Sequence, residues 1–174
     1  MPVPRRKFLA WGAAGAAAAA AGAFFAARKF QSTSGVAQLL AEPFADLQGQ
    51  TLRLRQRSAD TLLCNFWATW CEPCREEIPM LVAAQQHFGA AQLEIVGIGV
   101  DNGDKLRQFA ANYRVQYLVL VATVRTPELM RELGNNAAAL PYSVLLNRER
   151  RITYRKLGAW HKSELEREIQ AAIG

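Results

Sequence analysis

Hydrophobic positions change their period several times along the chain, and each change marks an element. Leu62-Leu63-Cys64-Asn65-Phe66-Trp67 is apolar on both faces, as a parallel strand covered on two sides should be. From Arg75 to Phe88 the spacing turns helical, with Ile78, Leu81, Val82 and Gln85 sharing a side. Leu93 to Val100 reads as a second buried strand carrying Gly97 and Gly99, Asp104 to Tyr113 as a helix, and Tyr117 to Ala122 as a third strand. Thr126-Pro127-Glu128 supplies an N-cap, N1 and N2 for a short helix that Gly134 closes. Tyr142 to Leu146 and Ile152 to Leu157 flank the Asn147 to Arg150 turn as an antiparallel pair. Ser163-Glu164-Leu165-Glu166 has the form of a capping box for a last helix, whose Leu165, Ile169, Ala172 and Ile173 face the sheet. Ahead of these, Phe44 to Leu47, the Gln48-Gly49 turn and Thr51 to Leu54 predict an N-terminal β-hairpin, and Ser58-Ala59-Asp60 separates it from the first core strand.

Residues 1–36 follow none of these periods. Arg5-Arg6-Lys7 is followed by an uncharged, alanine-dominated run from Phe8 to Ala27 with Gly12, Gly15 and Gly22 interspersed. A charged start and an apolar middle make an export signal. The pair Arg5-Arg6 ahead of a mild, Gly/Ala-rich apolar stretch also resembles a twin-arginine signal, although Pro4 and Ala10 stand where that pattern prefers serine and lysine. Ala21-Gly22-Ala23 offers a cleavage site, while residues 8–27 have about the ~20-residue length that spans a bilayer, so a cleaved signal and a membrane anchor both fit. Either places the remainder, 37–174, in the periplasm or on the outer face of the cytoplasmic membrane. Gln31 to Gly35 reads as a polar linker.

The net charge of +6 on 174 residues suggests nucleic acid until it is partitioned. Arg5, Arg6, Lys7, Arg28 and Lys29 fall in residues 1–37 with no acid, leaving 16 basic against 15 acidic residues in the rest. The basicity belongs to the leader, and nucleic-acid binding is disfavoured. Arg148, Arg150, Arg151, Arg155 and Lys156 alternate with Ile152 and Tyr154, the pattern of a solvated hairpin face.

Candidate chemistry sits where the first core strand gives way to its helix, at Trp70-Cys71-Glu72-Pro73-Cys74. The first turn of a helix presents unpaired N–H groups and the positive end of the macrodipole, and both favour a thiolate over a thiol. Cys71 is therefore expected to titrate below ~8.5 and to attack disulfides, with Cys74 resolving the mixed disulfide. Pro73 costs little there, because the N–H it lacks would be unpaired in any case. A zinc site would need two further ligands, and only Cys64, His87 and His161 remain, with no second paired spacing. A static bridge closing so short a loop would stabilise little. No metal and no other cofactor is implied. Cys64, inside a buried strand, reads as a small core hydrophobe, and His87 and His161 as surface residues.

Asn65-Phe66-Trp67-Ala68-Thr69-Trp70-Cys71-Glu72-Pro73-Cys74-Arg75-Glu76-Glu77-Ile78-Pro79-Met80 resembles the active-site signature of the TlpA/ResA-like family of extracytoplasmic thiol-disulfide oxidoreductases. The resemblance runs from Phe44 to Gly174 and implies an α/β thioredoxin fold with an N-terminal β-hairpin and a central strand-helix insertion between Val100 and Leu133. It implies a cis Leu140-Pro141 bond facing the disulfide, where the Leu140 backbone can pair with a substrate strand. Trp70 becomes an apolar lip for substrate and Trp67 a wall of the site. Thioredoxins carry a buried aspartate at the position of Asn65, which cannot titrate; the family instead keeps a glutamate near its disulfide, here Glu77. A carboxyl against Trp67 and Pro141 would have a raised pKa and could exchange protons with Cys74. The implied partners are disulfide-containing proteins, such as apocytochrome c or copper-site proteins, and a membrane thiol electron donor of the DsbD or CcdA kind. An oxidase or isomerase, and a thiol metallochaperone, are the alternative functions.

Overall fold

The computed structural model describes residues 34–174, so the leader, its cleavage site and the anchor expected at 8–27 lie outside the described residues. Within them no helix is long and apolar enough to cross a membrane. The chain runs α1 (34–41), β1 (Phe44–Asp46), β2 (Thr51–Leu52), a 3-10 turn (Leu54–Gln56), β3 (Thr61–Trp67), α2 (Glu72–Gln92), β4 (Leu93–Gly99), α3 (Gly103–Asn112), β5 (Leu118–Val121), α4 (Thr126–Glu132), β6 (Tyr142–Leu146), β7 (Ile152–Leu157) and α5 (Lys162–Ile173). These form one mixed sheet in the order β2-β1-β5-β4-β3-β6-β7. Strands β3, β4 and β5 are parallel; the hairpin β1-β2 joins through β5, and β6-β7 through β3, both antiparallel. This is the expected thioredoxin fold, with α3, β5 and α4 as the central insertion.

All seven residues of β3 are buried. Leu63 and Trp67 pack with Cys74, Ile78 and Leu81 of α2, Leu106 and Phe109 of α3, and Leu165 and Ile169 of α5. Leu62, Cys64 and Phe66 face the opposite core, built with α1 and α4. Alternation along the strand thus assigns the redox pair and Cys64 to opposite sides of the sheet. Burial pushes the Cys64 thiol up to about 12. In the reduced native protein Cys64 is expected to alkylate roughly a thousandfold more slowly than Cys71, because only thiolate reacts. Peptide mapping after timed iodoacetamide exposure checks this; Cys64 labelled in step with Cys71 would contradict it.

Helix α1 was not expected, since its first residues, Ser34 and Gly35, read as the end of a linker. Val36 and Leu39 bury against α4, and a Cβ on Gly35 would lie 2.8 Å from the Glu132 carbonyl oxygen, so only glycine allows this approach. Tertiary contact, absent from a local reading, makes the helix. Two caps also differ from expectation. Arg125, not Thr126, is the N-cap of α4; Thr126 is fully buried, and its hydroxyl accepts the Thr123 N–H at 2.9 Å. His161 precedes α5, and the predicted box centred on Ser163 does not form. With His161 as N-cap, Glu164 rather than Glu166 stands third in the helix. Its carboxyl takes the His161 N–H and accepts from Lys156 Nζ at 2.7 Å and Tyr154 Oη at 3.0 Å, and the Lys156 bond above all holds it below the usual range.

Arg148, Arg151 and Arg155 around β7 are exposed, as a solvated hairpin face should be, and several of the basic residues there also tie the hairpin to its surroundings. Arg148 pairs with Asp60 at 2.7 Å, Arg150 Nη2 donates to the carbonyls of Arg57 and Ala59, and Arg155 Nε donates to the Leu133 carbonyl at 2.7 Å.

Candidate active site

Strand β3, paired on both sides, delivers the chain to the carboxyl end of the central parallel strands, and α2 begins one residue after Cys71, which is its N-cap. Pro73 falls in the first turn, where its missing N–H leaves nothing unpaired. Cys71 and Cys74 are joined as a disulfide. The two sulfurs differ in access: Cys71 lines an open groove and Cys74 is fully buried beneath it.

The groove has a volume of about 400 Å³. Trp70, 68 % exposed, forms one rim, and Pro127, Met130 and Leu140 are among its apolar lining. Three elements far apart in sequence therefore meet at Cys71: the β3-α2 turn, the insertion helix α4, and the segment before β6. The Leu140-Pro141 peptide is cis, as the resemblance implied. Trp67, expected as a wall of the site, is fully buried in the core, packs on Phe109 with ring centroids 5.0 Å apart and does not line the groove. Gly97 on the neighbouring strand leaves room for the Trp67 indole, since a Cβ there would sit 2.9 Å from Trp67 Nε1.

Below the disulfide, Glu77 lies one helical turn beyond Cys74 and is 1 % exposed. Its Oε1 accepts from Asn65 Nδ2 at 2.7 Å and its Oε2 from the Trp160 N–H at 3.0 Å. Asn65 Nδ2 also donates to Ser143 Oγ at 3.0 Å, as does Trp160 Nε1 at 3.0 Å. The carboxyl thus belongs to a closed polar ring of four residues from α2, β3, β6 and the β7-α5 loop. Burial pushes its pKa up to about 7, against the Trp160 N–H, the Asn65 amide and the Lys156 ammonium, which all favour the charged form. The raised pKa matches the expectation; the hydrogen-bonding residues Asn65 and Trp160 stand where the apolar Trp67 and Pro141 were expected.

Ser143 and Trp160 were missed by sequence reasoning, as were Pro127 and Met130. A serine inside an otherwise apolar buried strand two residues after Pro141 was a readable signal. Nothing local marks Trp160 for this role; its hydrogen-bond partners in the ring lie 83 and 17 positions away.

The Redoxin family matches residues 25–172. A thiol-disulfide oxidoreductase ResA of Bacillus subtilis (strain 168) is 29% identical over 108 residues, 62% of this chain and 58% of that protein. The ResA of Bacillus thuringiensis subsp. konkukian (strain 97-27) is 25% identical over 122 residues, 70% of this chain and 68% of its own length. Among solved structures, a thioredoxin-family thiol:disulfide interchange protein of Chlorobium tepidum TLS superposes with a TM-score of 0.65 at 25% identity, covering 76% of this chain and 94% of that one. With a disulfide at the mouth of an apolar groove on a thioredoxin fold, the chain belongs to the Redoxin family and is a TlpA/ResA-like thiol-disulfide oxidoreductase.

Proposed function

We propose that this enzyme works outside the cytoplasm as a reductase of protein disulfides, carried there by residues 1–36 and acting through the domain 37–174. The observation that carries the division of labour is the contrast between Cys71, open to the groove, and Cys74 and Glu77, sealed beneath it. The reduced Cys71 thiolate attacks a substrate disulfide, forming a mixed disulfide and expelling one substrate thiolate. Glu77 takes the proton of Cys74, whose sulfur then attacks Cys71; the internal disulfide re-forms, the second substrate thiol leaves, and two electrons have passed to the substrate. Trp70, Leu140 and Pro141 hold the substrate segment, with the Leu140 backbone as its hydrogen-bonding edge.

Glu77 also supports the direction. Strong oxidants of this fold gain their high potential from a stabilised thiolate in the reduced form. A buried carboxyl on the same helix face as Cys74, within ~6 Å at that spacing, opposes further negative charge in the pair and so works against the extra thiolate stabilisation an oxidant needs beyond that of the helix terminus. Apocytochrome c and copper-site proteins are the substrate classes proposed, and a membrane dithiol transporter of the DsbD or CcdA kind is the proposed electron donor. Equilibration with glutathione or dithiothreitol tests the direction. A potential near that of thioredoxin, about −270 mV, is expected; one near that of DsbA, about −120 mV, would make the protein an oxidase.

A further inference from the structure

Beneath the disulfide, the two oxygens of Glu77 are each held by a single donor, and neither donor belongs to the Cys71–Cys74 motif. One is the Asn65 amide, itself anchored on Ser143 Oγ; the other is the main-chain N–H of Trp160. The Trp160 indole closes the ring by donating to the same Ser143 oxygen, so one hydroxyl on β6 fixes both grips. Outside the ring, Tyr154 packs on Trp160 with centroids 5.6 Å apart, and Lys156 Nζ lies 5.9 Å over the indole while bonded to Glu164. The loop after β7 is thus held from both sides.

We propose that Ser143 and Trp160 are positioning residues for the exchange reaction: they hold the Glu77 carboxyl in the one orientation from which it can serve Cys74. This deepens the role given to Glu77 above and rests on it. The indole Nε1 and the hydroxyl never meet substrate; they act by keeping the Trp160 N–H and the Asn65 amide aimed at the carboxylate. Titratable and charged groups reach Glu77 from several directions: Cys74 on its own helix, Tyr117 ahead of β5, and Lys156 on β7 with Glu164 behind it. Burial keeps the Tyr117 phenol protonated, and β3 and β6 contribute only the uncharged Asn65 and Ser143. The orienting work near the carboxyl therefore falls to neutral hydrogen bonds.

The test compares Trp160→Phe, which keeps the ring and the main-chain N–H, and Ser143→Ala with the wild-type protein. The Glu77 carboxyl is titrated by carbon-13 NMR in the oxidised state, and the pH profile of insulin reduction is recorded alongside. Both variants are expected to move the Glu77 midpoint upward by roughly half a unit or more, because hydrogen bonds to a carboxylate favour its charged form. Both should slow reduction near neutral pH about threefold to tenfold, by weakening general-base help to Cys74. Ser143→Thr, which keeps the hydroxyl, should bring the midpoint back. In a Glu77→Gln background, Trp160→Phe should add less than about a twofold loss, since coupled residues are not additive. An unmoved midpoint in both variants, or an undiminished loss in the Glu77→Gln background, overturns the inference while leaving Glu77 its role. A Glu77→Gln protein with the wild-type pH profile overturns both.

Discussion

Cys71→Ser is expected to abolish disulfide exchange, while Cys74→Ser turns the enzyme into a trap. A serine hydroxyl is not ionised near neutral pH and cannot replace a thiolate as nucleophile, so turnover of Cys71→Ser should fall by roughly three orders of magnitude or more. Cys74 is fully buried, and in the proposed mechanism it contributes only after the mixed disulfide has formed. Its serine variant should still attack once through Cys71, and the complex should persist because no second sulfur is positioned to release the partner. Non-reducing gels of the native host expressing Cys74→Ser, followed by mass spectrometry of the shifted bands, identify the trapped proteins. Residual turnover above about a tenth in Cys71→Ser would contradict its role as attacker. Absence of any shifted band with Cys74→Ser would sink the reductase reading.

Glu77→Gln should make the protein more stable at alkaline pH and less able to reduce near neutrality. The folded-state pKa of Glu77 is raised from 4.5 to about 7, so the folded protein binds a proton that the unfolded chain has released. The corresponding stability is fully present below about pH 4.5 and is lost as pH rises through about 7. With the residue only 1 % exposed, solvent screening is slight, and the loss between pH 5 and pH 8 amounts to about 2.5 kcal/mol. Glutamine carries no such proton. At pH 8 the variant should melt roughly 6–12 °C above wild type, and the difference should close toward pH 5. Asn65 makes the substitution tolerable: its Oδ1 has no hydrogen-bond partner among the described residues and can turn to meet a glutamine N–H. The pH profile of reduction should simultaneously lose its inflection near 7. Parallel melting curves for the two proteins across this range would rule out Glu77 as the titrating group.

What could be read from the sequence follows from how far each contact reaches along the chain. The strand-to-helix turn, Cys71, Pro73, Cys74 and Glu77 fall within a few residues, so spacing alone places them on one helix end. The order of strands and helices was readable for the same reason, because period-2 and period-3.6 patterns are local. The groove was less readable: α4 brings Pro127 and Met130 to Cys71 only after the insertion has folded across the sheet. Helix α1 escaped notice because Val36 and Leu39 gain their burial from α4, not from their neighbours. The two misplaced caps have a more local origin. Thr126 and Ser163 carry good capping side chains, but each helix starts earlier, at Arg125 and His161, and the Thr126 hydroxyl is taken by the Thr123 N–H. Trp160 is the extreme case, since the main-chain N–H it gives to Glu77 is a group that every residue but proline carries, so nothing in the sequence marks it.

The sheet that separates Cys64 from the redox pair also sets an order of events during oxidative folding. Before β3 joins β4 and β6, any two of the three cysteines can be bridged by an oxidant. Once Cys64 is paired between Val96 and Val144, its side chain is turned into the other core and one bridge remains attainable. A newly made chain therefore reaches the right disulfide by completing its sheet first, and mispaired species should be confined to chains oxidised too early.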